Sequence, residues 1–201
     1  MNDSNDVTLI LHGWGGNKTA HWQEHLYKAL VDSGAAVRYP KMPDPAAPDL
    51  ESWLSTIVHD LSKIPDNSHL SVVAHSLGAI SWMHVASRSS ERLADRVLLV
   101  APPYVVPEIP PLDAPPGAAS FFPPPLDASK VAAAANLTAI VASENDDYAT
   151  YEQTAAYAGR LHVDLYKLEG AGHISPYWGY GEWPWVTQWC LRQADLPPKP
   201  R

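Results

Sequence analysis

Three residues far apart in the chain have the side chains needed for acyl transfer by a serine nucleophile. Ser76 stands in Ala74-His75-Ser76-Leu77-Gly78, and His173 closes Gly170-Ala171-Gly172-His173. Between them lies an acidic run, Ser143-Glu144-Asn145-Asp146-Asp147-Tyr148. A serine hydroxyl is a weak nucleophile near neutral pH and needs an adjacent base, which an imidazole oriented by a carboxylate supplies. The order serine, acid, histidine is that of α/β hydrolases and differs from the chymotrypsin and subtilisin orders. A fourth piece, His12-Gly13-Trp14-Gly15-Gly16, is a glycine loop whose N–H groups can turn toward an oxyanion.

Each piece also has a plainer reading. A serine before a helix is a good N-cap. A histidine after glycines is an ordinary loop residue, and the acids fit a solvated turn. What favours chemistry is the elements around them. His69 to Ala74 is a strand that runs directly into Ser76, and Ala79 to Arg88 is a mostly buried helix. Strand, serine and helix without a gap form the nucleophile elbow, whose tight turn needs small residues two before and two after the serine. Here those are Ala74 and Gly78.

The remaining pattern supplies matching elements. Val7 to Leu11, Ala35 to Tyr39, Arg96 to Ala101, Leu137 to Ala142 and His162 to Leu168 read as strands. Apolar stripes predict helices after Trp22, from Leu50 to Leu61, from Thr150 to Leu161 and from Glu182 to Ala194. Strands alternating with helices predict a mostly parallel sheet, covered on both faces and joined by right-handed crossovers. Functional loops in such sheets gather at the C-terminal ends of the strands, which is where all four pieces fall. One stretch departs from the pattern. Residues 102–128 are crowded with prolines and lack periodicity, so they read as an excursion from a single domain spanning 1–201.

Composition bounds the alternatives. Net charge is −8, and no basic run relieves it, which disfavours nucleic acid as a partner. The polar, acidic start from Met1 lacks the pattern of a signal peptide, and no apolar run approaches membrane-spanning length. The single cysteine, Cys190, excludes an intramolecular disulfide and reads as a packing residue. These features predict a cytoplasmic protein with no membrane partner.

The sequence resembles the small serine-hydrolase family typified by retinoblastoma-binding protein 9. The resemblance rests on the early glycine loop followed by His21-Trp22, and on Pro40-Lys41-Met42-Pro43-Asp44-Pro45 with Trp53 downstream. Ala74-His75-Ser76-Leu77-Gly78-Ala79 and Gly172-His173 complete it. It implies a compact, lidless α/β-hydrolase fold, with 102–128 at the position where other hydrolases insert a lid. Family members carry their acid in an Asn-Asp-Pro-Tyr-like turn. Here the turn is Asn145-Asp146-Asp147-Tyr148, so the resemblance puts the acid on Asp146, with Asp147 in place of the proline. Asp147 and Glu144 remain the other candidates.

The expected catalytic set is therefore Ser76, Asp146 and His173, with the N–H groups of Leu77 and Trp14 as the oxyanion hole. The expected substrate is a small acyl ester, or a related thioester or amide, cleaved through an acyl-enzyme without cofactor or metal. Candidates for the substrate pocket are His12, His75, Phe121, Phe122 and Trp178, with Trp14 and Trp82 beside them. Trp22, Trp53, Trp185 and Trp189 are assigned to packing.

Two rival readings set limits. His21-Trp22-Gln23-Glu24-His25 matches a zinc-protease pattern, H-x-x-E-H, but Trp22 and Leu26 make that segment an ordinary amphipathic helix, and the sequence offers no third ligand. A hydrolase fold that has lost its chemistry and only binds a partner is the other alternative.

Overall fold

The structure is a computed structural model describing residues 5–16, 18–106 and 108–201. The N-terminal residues Met1 to Ser4 on which the signal-peptide reading rests lie outside the described residues, as do Asn17 and Pro107.

Six strands form one sheet: β1 (Asp6–Leu11), β2 (Ala36–Arg38), β3 (His69–His75), β4 (Ala94–Val100), β5 (Ala135–Ser143) and β6 (Asp164–Leu168). Their spatial order is β2-β1-β3-β4-β5-β6, and every neighbouring pair is parallel. Among the described residues six α-helices are interleaved with them: α1 (Trp22–Asp32), α2 (Leu50–Leu61), α3 (Leu77–Arg88), α4 (Ala128–Ala134), α5 (Tyr151–Leu161) and α6 (Pro184–Cys190).

The strands are apolar on both sides because both faces are covered. Successive residues alternate between two cores. Leu9, Leu11, Val72, Ala74, Val97 and Leu99 pack under α2 and α3, with Trp53, Trp82, Phe121 and Tyr157. Ile10, Val73, Leu98, Val100 and Val141 face α1 and α6, with Trp22, Trp183, Trp185 and Trp189. Cys190 is buried in this second core, and loss of solvent pushes its thiol up to about 12, which makes it a poor nucleophile.

Local chemistry sets the helix starts. The Asp49 carboxylate accepts from the Ser52 N–H at the head of α2, and Asp127 accepts from Ser129 and Lys130 at α4. Thr150 and Gln153 form a reciprocal capping box on α5. Several boundaries differ from the sequence reading, and α4 is an element it did not contain. Pro184 opens α6 two residues after the expected Glu182. His162 takes a left-handed conformation that ends α5, so β6 starts only at Asp164. The short, alanine-rich α4 has no apolar stripe to announce it.

One rung crosses the sheet through Leu11, Ala74, Leu99, Ile140 and Leu165. The loops just beyond it carry His12, Ser76, the acidic run and His173, so a single edge of the sheet collects them. The 102–128 excursion contains a short 3-10 turn, Ala118–Phe121, and lies over the same edge. It forms no lid-like extra domain.

Candidate active site

Ser76 sits between β3 and α3 with φ 56° and ψ −126°. A non-glycine residue there is strained, and the surroundings must hold it. Its N–H donates to the Val100 carbonyl (3.0 Å), and its own carbonyl accepts from Ala79 (2.9 Å) and Ile80 (3.3 Å) in the first turn of α3. Small neighbours make the turn possible. A Cβ on Gly78 would lie 2.6 Å from the Leu11 and His12 carbonyl oxygens, so α3 can approach β1 this closely only with glycine there.

The three expected residues meet. His173 Nε2 lies 3.0 Å from Ser76 Oγ, and His173 Nδ1 lies 2.9 Å from both carboxylate oxygens of Asp146. Both side chains are largely buried, the Asp146 carboxylate at 3% exposure and the imidazole at 12%. The Asp146 carboxylate also accepts the Tyr148 N–H (2.9 Å), which fixes its direction. Tyr148 covers the outer side of the imidazole, with ring centroids 4.5 Å apart.

The other acids have different places. Glu144 accepts the Gly170 N–H (2.9 Å), and hydrogen bonds from its own N–H and that of Gly170 hold its carboxyl below the ordinary range. Asp147 lines the cavity in front of Ser76. Two residues the sequence reading passed over complete a clamp between the acid loop and the histidine loop. Ser143 Oγ accepts from the Ala171 N–H (3.0 Å), and Asn145 Oδ1 accepts from the Gly172 N–H (2.8 Å). Their position in an acidic turn gave no sign of this.

The loop 13–16 faces the serine. Gly16 donates to the Gly13 carbonyl and Gly15 to the Pro45 carbonyl, which curls the turn over Ser76. Leu77 is the first residue of α3, so its N–H sits at the positive end of the helix. Among the described residues neither the Leu77 nor the Trp14 N–H is spent on a protein acceptor.

The cavity in front of Ser76 has a volume of about 380 Å³. Trp14, His75, Tyr148, Tyr177 and Trp178 line it, and the excursion contributes Pro103, Val105, Pro111 and Pro115. Four expected pocket residues lie elsewhere. Phe121 and Phe122 are buried in the core under α2, where Phe121 meets Trp53 edge-on at 5.3 Å. Turning inward gives these rings the apolar contact they would lack at the surface. Trp82 is buried in the same core. His12 lies behind the 13–16 loop, where its Nδ1 meets the Gly13 carbonyl (2.8 Å) and its Nε2 accepts from the Met42 N–H (3.1 Å). Burial lowers its basicity, so it serves as a neutral strut for the loop.

The His21-Trp22-Gln23-Glu24-His25 segment forms the start of α1. His21 Nδ1 accepts from the Gln23 N–H there, and Glu24 pairs with Lys28. Among the described residues no group of three or more His, Cys, Asp or Glu stands close enough to hold a metal ion. Among the same residues no helix is long and apolar enough to cross a membrane.

Comparisons with known proteins agree with this architecture. YdeN of Bacillus subtilis (strain 168), which bears a hydrolase name, is 27% identical over 179 residues, covering 88% of this chain and 90% of YdeN. The crystal structure of the ydeN gene product matches with a TM-score of 0.77 at 23% identity, over 94% of this chain and 98% of that one. Est1E from Butyrivibrio proteoclasticus, in a structure with ferulic acid bound, matches with a TM-score of 0.66 at 20% identity, over 96% and 91%. At such identities these structures speak to the fold, which is that of the α/β hydrolases. A family model described as Serine hydrolase matches residues 8–192, from the first strand past the last helix, and the chain belongs to that family.

Proposed function

We propose that this protein hydrolyses a small carboxylic ester through a Ser76-His173-Asp146 triad. The observation that carries the reading is the unbroken path from Ser76 Oγ to His173 Nε2 and from Nδ1 to Asp146. His173 removes the Ser76 proton as the hydroxyl attacks the acyl carbon. Asp146 orients the imidazole and stabilises the imidazolium that forms. The N–H groups of Leu77 and Trp14 receive the oxyanion, each contributing roughly 10²–10³ in rate. His173 then gives the proton to the departing alcohol, leaving Ser76 acylated. Water, deprotonated by the same imidazole, attacks the acyl group, and the carboxylic acid leaves as Ser76 regains its proton. Every step uses groups of the chain and water.

The ester choice is supported by the neighbour Est1E, whose bound ferulic acid is a carboxylic acid, the product class of such a reaction. The size of the cavity suits a small substrate. Within the family we assign the chain to the branch typified by retinoblastoma-binding protein 9, on His21-Trp22 and the Met42-Pro43-Asp44-Pro45 segment. We read residues 1–201 as one hydrolase domain in which 102–128 forms a fixed wall at the lid position.

Labelling with a fluorophosphonate, followed by peptide mapping, tests the proposal. Modification of Ser76 that disappears in His173→Ala is the expected result. A native protein that does not label would favour the binding-only alternative.

A further inference from the structure

Two imidazoles beside Ser76 are used by neither the triad nor the oxyanion loop. His21 and His75 both line the cavity, with ring centroids 4.8 Å apart. The hydrogen bonds each makes fix its tautomer. His75 Nε2 meets the main-chain oxygen of His173 at 2.9 Å. A carbonyl only accepts, so Nε2 carries the proton and Nδ1 of the neutral ring is bare. In His21 the roles are reversed. Its Nδ1 accepts from the Gln23 N–H at 3.3 Å, so Nδ1 is bare and Nε2 carries the proton.

Both rings stay neutral. Burial, reinforced by His173, Lys18 and His12 nearby, brings His21 down to about 3. Burial, with His21 and His173 beside it, takes His75 far below its ordinary value. Both residues are more than nine-tenths buried. Among the described residues the second nitrogen of each ring has no protein partner. Lys18, Asp147 and Ser175 also line the cavity, and Gln23 spends its Nε2 on the Leu11 carbonyl (2.9 Å).

The two rings, both on the cavity wall and with centroids 4.8 Å apart, therefore carry one N–H donor and one bare-nitrogen acceptor between them. An ether or ester oxygen satisfies only the donor, and an ammonium only the acceptor. A carboxylate oxygen would face the lone pair of His75. An alcohol oxygen answers both, accepting from His21 and donating to His75. We propose that His21 and His75 form a hydroxyl-reading subsite, so that the substrate is an ester with a free alcohol group close to the scissile bond. The proposal rests on the hydrolase reading above and adds the substrate class.

Two matched ester pairs test it. Ethyl butyrate against 2-hydroxyethyl butyrate places the alcohol on the leaving group, and 4-nitrophenyl butyrate against 4-nitrophenyl 3-hydroxybutyrate places it on the acyl chain. The readout is the ratio of kcat/KM within each pair. A site built around a substrate hydroxyl rejects the analogue that lacks it, so the wild type should favour the hydroxylated member of one pair by at least about 10-fold. His21→Asn keeps a good helix cap but withdraws the N–H from the cavity, and the ratio should fall to near unity. His21→Gln restores an N–H near the Nε2 position and should recover part of the preference. Plain-ester hydrolysis with no preference in either pair overturns the subsite and leaves the hydrolase reading standing, as does a preference that survives in His21→Asn. A wild type that neither labels with fluorophosphonate nor cleaves any of the four esters overturns both.

Discussion

Gly13 lies against Ser76 so closely that a Cβ on the glycine would stand 2.6 Å from the serine Cβ and 3.1 Å from its Oγ. The backbone of the 13–16 loop thus packs directly on the Ser76 side chain, with no other side chain between them. Gly13→Ala should push the loop off the serine. Displacement of about 1 Å at a reacting centre costs on the order of 10² in rate, so kcat/KM should fall by about that factor. The free energy of unfolding should fall by only about 1–3 kcal/mol. Measuring ester hydrolysis beside urea unfolding separates the two effects.

The acid assignment is tested by a pair of substitutions. Asp146 holds His173 Nδ1 through both oxygens, whereas Asp147 only lines the cavity. Asp146→Asn should lower kcat by about 10⁴-fold, as loss of the orienting acid does in other triads. Asp147→Asn should change kcat by only a few-fold. A crippled Asp147→Asn beside an active Asp146→Asn contradicts the assignment.

Stability should fall as the medium is acidified from neutrality. His12, His21 and His75 all bind a proton less readily in the folded protein, chiefly because they are buried. The unfolded chain takes up those protons as pH drops through the ordinary histidine value of 6.5, while folded His21 resists down to about 3. Their contribution is therefore intact above that unfolded value and lost below it. Each histidine removes up to about 1.4 kcal/mol per pH unit in the window between its two pKa values. Urea midpoints taken between pH 7 and pH 5 should show this slope, and His21→Asn should flatten it. A flat wild-type profile contradicts neutral burial.

Phe121 distinguishes core from pocket. It is fully buried against Trp53, so Phe121→Ala should cost about 3–5 kcal/mol in urea unfolding. Its absence from the cavity lining predicts an unchanged preference across 4-nitrophenyl esters of increasing chain length. A shift in that preference with little loss of stability would return Phe121 to the pocket.

The sequence was most readable where one local rule acts alone. Strands such as Leu70 to Ala74 are apolar but for Ser71 because both faces are covered, and the sharp turn at Ser76 leaves small residues at fixed distances. The positions of Phe121 and Phe122 depend instead on which way a proline-rich excursion turns, and no periodicity encodes that. The clamp from Ser143 and Asn145 to the histidine loop spans 27 or more residues and needs two loops to meet first. His21 was equally opaque. The amphipathic pattern placed it on a helix but could not show that its Nδ1 caps that helix or that its ring stacks with His75, relationships that exist only after folding.

The central claim is that Ser76 becomes covalently acylated with His173 as its base. The most direct measurement is intact-mass analysis of protein mixed with 4-nitrophenyl acetate and quenched in acid within the first turnovers, followed by peptide mapping. The account predicts one acetyl group on the peptide carrying Ser76, absent in Ser76→Ala and strongly reduced in His173→Ala. Hydrolysis that proceeds at the wild-type rate in Ser76→Ala, with no acetyl adduct on that peptide, would contradict it.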